Sequence, residues 1–241
     1  MSEGAPLKNI ERALAHALGI LDAYGILALA GMVGPLVLVA LDIAAAVAEP
    51  KYSLIRDSVS ALGLTSLGWI QTIGFVVLGL LVEIFTAGLF LNIRRRNLFD
   101  FGIGLLAFFG FGLALIGLFR TDPIGGLPTM SGRIHVWAAY SVLGLFPVAL
   151  ALLLSSIKND PNWRGLLHYT IVTGILAFAL AVGRLFLPQN INWFGLYERI
   201  LVANVLIWLE IIGIRLLLLS IQRKRNPNRL SVLLRKRYRR T

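Results

Sequence analysis

The sequence predicts an all-α integral membrane protein, in which six transmembrane helices form one bundle and both termini lie on the cytoplasmic side. Composition is the first observation: hydrophobic residues make up 57% of the chain, charged residues only 15%, and the mean hydropathy is +0.79. Soluble domains are about half apolar and about a quarter charged. The second observation is that several runs reach the roughly 20 apolar residues needed to cross a bilayer core. This composition excludes the one or two soluble domains that length alone would allow.

The N-terminal segment, residues 1–22, is predicted to form an amphipathic helix that lies in the membrane interface. Within residues 6–22 apolar side chains recur at helical spacing, and charged side chains lie opposite them. The segment carries several acidic residues and has no long apolar stretch before a small-residue cleavage site. It therefore does not resemble a cleaved signal peptide.

Six apolar runs follow, within a predicted transmembrane domain at residues 23–220. The third run is rich in glycine, which allows close contact between helices. Pro35 and Pro147 lie inside the first and fourth runs, where neighbouring helices can satisfy the backbone groups that a proline frees. The predicted spans are 24–47, 68–91, 100–119, 134–157, 167–187 and 195–219.

The distribution of basic residues predicts the orientation of the bundle. Of the 23 Lys and Arg residues, 16 lie in the N-terminal segment, the 92–99 and 158–166 loops and the C-terminal tail, and five lie in the other loops. Lys and Arg concentrate on the cytoplasmic side of membrane proteins. Both termini are therefore predicted to be cytoplasmic, which agrees with the even number of spans.

The C-terminal tail, residues 221–241, is strongly basic, with nine Lys and Arg residues between Arg223 and Arg240. Beside a membrane helix, such a segment indicates contact with anionic lipid headgroups rather than with nucleic acid. The alternative interpretation is that the tail only fixes the topology.

Polar and ionisable side chains are concentrated in the three loops predicted to face outward, at 48–67, 119–135 and 188–199. The first loop places hydroxyls, a guanidinium and a carboxylate between Tyr52 and Ser60. Ionisable groups at or below the interface usually face the bundle interior and pair with one another. We expect a network of Asp42, Arg56, Asp57, Arg120, Asp122, His135, Arg184, Glu198 and Arg199.

Two interpretations of this network stay open. Its charges are nearly balanced, which suits mutual pairing that holds the loops over the bundle. It also suits an arginine-lined pocket, because a guanidinium binds a phosphate or carboxylate bidentately. The expected ligand-binding residues are Asp42, Tyr52, Ser53, Arg56, Asp57, Ser60, Arg120, Asp122, His135 and Arg184.

A catalytic function is left open. His135 is the candidate acid or base, and Asp122 or Asp57 would orient it. None of the nearby serines lies in a Gly-x-Ser-x-Gly setting. The absence of cysteine excludes disulfides, thiolate catalysis and Fe–S clusters. The few histidines cannot share one haem, because His135 and His168 open spans on opposite sides, so no metal or cofactor is expected.

Glu83 and Glu210 form a second candidate pair inside the membrane. Each lies fifteen residues after the start of its span, which places both at a similar depth of about 22 Å. Two carboxylates at that depth could share a proton and serve a proton-coupled or solute transporter. Alternatively, each pairs with a basic neighbour such as Arg215 or Arg94.

The polar stretches resemble a known family. Residues 50–63, Pro-Lys-Tyr-Ser-Leu-Ile-Arg-Asp-Ser-Val-Ser-Ala-Leu-Gly, followed by Gly68-Trp69, are similar to the signature of the domain-of-unknown-function 998 family, although Leu54 stands where proline is common. The run Phe119-Arg120-Thr121-Asp122-Pro123 and the downstream His135 resemble its second motif, with Arg120 in place of a proline. The resemblance covers roughly residues 25–215. It implies a multi-pass protein of a bacterial or archaeal cytoplasmic membrane with an outward polar site, and no established activity.

The sequence therefore predicts a multi-pass membrane protein of unknown activity, with an outward-facing polar pocket for a lipid headgroup or a small anion. Modification of that ligand is left open. The alternatives are the transporter that uses Glu83 and Glu210, and a non-enzymatic structural subunit.

Overall fold

The computed structural model describes residues 22–188 and 190–225, and these residues contain helices and no strands. Each of the six long helices in these ranges is long and apolar enough to cross a membrane. The predicted N-terminal amphipathic helix and most of the basic tail lie outside the described residues. The helices are α1 Ala23–Ala48, α2 Gly68–Asn92, α3 Phe99–Leu118, α4 Met130–Asn159, α5 Leu167–Phe186 and α6 Phe194–Arg225, with short 3-10 helices at Val59–Leu64 and Arg164–Leu166.

The predicted spans match these helices closely, with two differences. Helix α4 begins at Met130, four residues before the expected start, because Thr129 accepts a hydrogen bond from the Gly132 N–H and caps the helix. Helix α6 continues to Arg225 rather than ending at 219, since nothing in this polar stretch breaks a helix before Pro227.

The six helices form a closed ring in chain order. Each helix packs against the next one in the sequence, and α6 packs back against α1. Close packing of α2 on α3 depends on Gly79, where a Cβ atom would lie 2.7 Å from the Gly110 carbonyl oxygen. Small residues at such crossings let helix backbones approach each other.

The two ends of the ring differ in chemistry. One end, called here the polar end, carries the loops 49–67, 119–129 and 187–193. At the opposite, basic end, Asp160 accepts a hydrogen bond from the Arg94 N–H at 2.9 Å, and Arg215 donates to the Asn162 carbonyl at 2.8 Å. The first bond joins the two loops of the basic end to each other, and the second joins one of them to α6.

The apolar core fills the centre of the ring. Phe109 of α3, Phe146 of α4 and Trp208 of α6 form a chain of ring contacts, with centroid distances of 5.3 and 5.5 Å. All three side chains are fully buried. Between these side chains and the polar end, the ring encloses a cavity.

Candidate functional site

The loop at residues 49–67 is held in shape by its own polar groups. Asp57 accepts a hydrogen bond from the Ser53 N–H at 2.8 Å, and Arg56 donates to both of its carboxylate oxygens, at 2.9 and 3.1 Å. The hydrogen bonds from Arg56 and then Ser53 hold the pKa of Asp57 below its usual value, against the effect of partial burial. Tyr52 completes the loop by donating to the Ser58 carbonyl at 2.8 Å.

Arg199 fixes this loop onto the start of α6. Its guanidinium donates to the Leu54 carbonyl at 2.8 Å and to the Tyr52 hydroxyl at 2.6 Å, and it forms an ion pair with Asp42 at 3.6 Å. Burial raises the pKa of Tyr52 to about 12 despite the opposing charge of Arg199, so the hydroxyl stays neutral. The backbone of α6 also binds the first loop, because the Leu196 N–H donates to the Ile55 carbonyl at 2.9 Å.

The 3-10 helix at Val59–Leu64 lies between α2 and α6. Glu198 accepts a hydrogen bond from the Val59 N–H at 2.9 Å, and the Gln71 side chain donates to the Val59 carbonyl. The second oxygen of Glu198 lies 3.7 Å from the Arg184 guanidinium of α5. One carboxylate therefore links the first loop, α6 and α5.

The second polar loop is closed on itself by Asp122. Its carboxylate accepts from the Thr129 hydroxyl at 2.7 Å and from the Thr129 N–H at 3.0 Å. These hydrogen bonds hold the pKa of Asp122 below its usual value.

His135 is buried beside this loop, one and a half turns into α4. Its Nδ1 lies 2.7 Å from the Phe119 carbonyl, and a carbonyl can only accept, so Nδ1 carries the proton. Neither Asp122 nor Asp57 orients the ring, since both oxygens of Asp122 bond to Thr129 and those of Asp57 bond to Arg56 and Ser53. His135, the candidate acid or base, is therefore hydrogen-bonded to a backbone carbonyl and not to either candidate carboxylate.

A cavity of about 430 Å³ lies inside the ring, below these loops. Polar and charged groups line its mouth, and apolar side chains from all six helices line its floor. Along α4 the cavity extends from His135 to Phe146, about 16 Å at 1.5 Å per residue. The mouth includes Arg56, Asp57, Ser60, Asp122, His135, Arg184, Asn190 and Glu198; the floor includes Leu38, Leu78, Phe109, Phe146, Ala177 and Leu206.

The structure divides the predicted ligand-binding residues into two groups. Six of them line the cavity: Arg56, Asp57, Ser60, Asp122, His135 and Arg184. The other four do not. Asp42, Tyr52 and Ser53 hold the first loop in place, and Arg120 is exposed outside the cavity.

Sequence reasoning missed the floor of the cavity and two residues at its opening, Asn190 and Tyr140. Apolar residues in a membrane span look alike whether they face lipid, another helix or an empty space. No signal in the sequence separates Ala177, which lines the floor, from Ala179, which is exposed on the same helix.

Glu83 lies on α2 and Glu210 lies on α6. Glu83 packs at the α2–α3 contact, where a Cβ at Gly110 would lie 2.9 Å from its carboxylate. One oxygen of Glu210 is buried without a hydrogen-bond partner. Among the described residues, no ion pair joins the two acids to each other, to Arg94 or to Arg215. Nor do His, Asp and Glu side chains form a metal-binding group of three in residues 22–188 and 190–225.

Comparison with known proteins gives one match. A family model described as "Protein of unknown function (DUF998)" matches residues 32–215. The match begins inside α1 and ends inside α6, so it includes all three loops of the polar end and the cavity beneath them. No curated protein and no solved structure matches the chain.

Proposed function

The chain belongs to the DUF998 family of unknown function, and we propose that this multi-pass membrane protein binds a phospholipid in the cavity at its polar end. One acyl chain occupies the apolar floor, and the phosphate of the headgroup contacts Arg184 at the mouth. The observation that carries this proposal is the separation of the cavity into a charged mouth and a deep apolar floor.

The size and lining of the cavity favour an amphiphile over a small anion. Its volume of about 430 Å³ falls in the range of roughly 300–1,000 Å³ that is usual for small-molecule sites. A small anion would occupy only the mouth and would leave the apolar floor empty. An acyl chain fills that floor without burying any polar group.

Headgroup contacts must supply most of the affinity. A lipid tail in the bilayer is already in hydrocarbon, so moving it into an apolar cavity gains little hydrophobic free energy. Packing against Phe109 and Phe146 and charge-assisted hydrogen bonds at the mouth are the remaining contributions.

Arg184 is the arginine best placed to bind a phosphate. The two terminal nitrogens of Arg199 are engaged by the first loop and Asp42, and Arg56 is paired bidentately with Asp57. Arg184 lines the cavity with only 13% of its side chain exposed, and its contact with Glu198 at 3.7 Å is longer than a hydrogen bond. A guanidinium has five N–H donors, so Arg184 can bind a phosphate bidentately and keep its charge contact with Glu198.

The proposal is tested by filling the floor. Ala177→Phe places a ring where the acyl chain would lie, and Ala179→Phe adds the same volume on the exposed side of α5. In nanodiscs, we expect Ala177→Phe to weaken binding of a fluorescent phosphatidylglycerol by about tenfold or more, since a bulky group in a packed site is poorly accommodated. Ala179→Phe should bind as the wild type does. Equal binding by both variants would reject the cavity as the binding site.

The role of Arg184 is tested by comparing the binding of phosphatidylglycerol, which carries a phosphate, with that of diacylglycerol, which carries none. Arg184→Gln should weaken phosphatidylglycerol binding by about tenfold, as expected for the loss of a charge-assisted hydrogen bond, and leave diacylglycerol binding unchanged. Because this change leaves Glu198 unpaired, the variant that also carries Glu198→Gln serves as the folding control. Equal losses for both lipids in the double variant would show that Arg184 does not contact the phosphate.

A further inference from the structure

Helix α5 is attached to α6 along its whole length. Three polar contacts lie at successive depths: the Trp208 indole donates to the Thr170 hydroxyl at 3.4 Å, the Asn204 amide to the Thr173 carbonyl at 3.2 Å, and the Tyr197 hydroxyl to the Leu180 carbonyl. The ion pair between Arg184 and Glu198 is the fourth, at the polar end. The seam between these two helices is therefore closed by specific bonds.

The seam between α4 and α5 is different. The helices meet near Gly174 and Leu150, where a Cβ on Gly174 would lie 3.6 Å from the Leu150 side chain. The buried residues of α5 are Thr170, Thr173 and Ala177, and none of its residues between Ala177 and the polar end is buried. The two helices therefore pack together at the basic end and in the middle, and the cavity separates them toward the polar end.

Val136 and Tyr140 of α4 lie within a quarter turn of Leu150 around the helix axis, on the side that meets α5. Val136 and Tyr140 both line the cavity, yet they are 43% and 41% exposed. A side chain that lines a cavity and is also exposed stands where the cavity opens to its surroundings. The two residues lie about 9 and 15 Å along α4 from its first residue, Met130. In a helix of 30 residues, about 45 Å long, Tyr140 falls inside a hydrocarbon layer about 30 Å thick.

We infer that the α4–α5 seam beside Val136 and Tyr140 is a lateral portal, through which a phospholipid from the adjoining leaflet slides one acyl chain into the cavity. This inference rests on the proposed function. The occupant is a bilayer lipid because the opening faces hydrocarbon, and because an acyl chain that entered through the aqueous mouth would first have to be exposed to water. The headgroup stays at the interface during this movement and reaches Arg184 from the side.

The chain contains no cysteine, so single cysteines can be labelled without background. Tyr140→Cys places a label in the portal, and Ser141→Cys places the same label on the neighbouring exposed position of α4, which does not line the cavity. Each variant is reconstituted first and then labelled with a bulky, lipid-soluble maleimide, so that labelling cannot affect folding.

The measurement is the rate at which fluorescent phosphatidylglycerol exchanges between vesicles and the reconstituted protein, before and after labelling. We expect the label at 140 to slow exchange by about tenfold or more, because a blocked path then limits association, and the label at 141 to leave the rate unchanged. Failure of Tyr140→Cys to react, or equal rates for the labels at 140 and 141, would overturn the portal. Absence of lipid binding by the unlabelled protein would instead reject the proposed function.

Discussion

At the scale of single residues, the polar end assigns different tasks to similar side chains. Arg199 is engaged by backbone carbonyls, the Tyr52 hydroxyl and Asp42, and so acts as a structural clamp. Arg184 lines the cavity, lies over the Phe194 ring at 4.5 Å and has one long contact with a carboxylate. The pairing geometry, rather than the residue type, separates the structural arginine from the candidate ligand-binding arginine.

Removal of the Arg199 clamp should destabilise the fold. Arg199→Ala leaves the half-buried Asp42 carboxylate unpaired and frees the first loop, and breaking such a pair costs about 3 kcal/mol. Thermal unfolding in detergent measures the effect. Arg120→Ala is the matched control, and because Arg120 is exposed we expect little change in Tm. Similar losses in the two variants would contradict the structural role of Arg199.

Asp57 should make the stability of the first loop depend on pH. Its folded-state pKa is depressed, first by the Arg56 hydrogen bond. The stabilisation it gives is therefore present above its unfolded pKa of about 3.9 and is lost as pH falls through the lower folded value. We expect Asp57→Asn to lower Tm at pH 7 and to have a smaller effect at pH 3. An equal difference in Tm at both pH values would disprove this account.

At the scale of helices, close contacts divide the glycines of α2 and α3 into two kinds. A Cβ at Gly79 would lie 2.7 Å from two backbone atoms of α3, whereas a Cβ at Gly104 would have no neighbour within 4 Å. The tight α2–α3 contact positions one wall of the cavity. Gly104 takes part in no such contact, and its effect is limited to the conformational freedom of the backbone.

This division predicts opposite effects of the same substitution. Gly79→Ala should destabilise the protein by about 1–3 kcal/mol, because two backbones must move apart. Gly104→Ala should be neutral or should stabilise by up to about 1 kcal/mol, since alanine favours helix over glycine. Unfolding in detergent followed by circular dichroism tests both, and a Gly79→Ala protein as stable as wild type would contradict the observed packing.

Helices could be predicted well because a membrane span needs a long apolar run, and such runs are visible in the sequence. The position of Arg56, Asp57, His135 and Arg184 at one end was predictable for the same reason, since each lies near the end of a span on the same side. The inward or outward direction of a side chain was not predictable. It depends on the rotation of each helix, which separates cavity-lining Ala177 from exposed Ala179 and places Arg120 outside the cavity.

At the scale of the whole molecule, the closed ring separates a basic end from a polar end that carries the cavity. The excess of Lys and Arg at the basic end predicts that it faces the cytoplasm. With that orientation, the phospholipid that we propose as ligand comes from the leaflet that faces away from the cytoplasm.

Cysteine labelling in intact cells tests this orientation. Lys51→Cys lies in the exposed first loop of the polar end, and Asn97→Cys lies in the exposed loop of the basic end. A membrane-impermeant maleimide should label position 51 in intact cells and position 97 only after lysis. Labelling of position 97 alone in intact cells would invert the topology and place the cavity in the inner leaflet.

In our proposal, the cavity holds one acyl chain of a phospholipid. An experimental structure of the protein in lipid nanodiscs tests it most directly. We expect elongated density that runs from Arg184 down to Phe146 and leaves the ring through the α4–α5 seam beside Val136 and Tyr140. A cavity that contains only water, with lipid density confined to the outer surface of the helices, would contradict it.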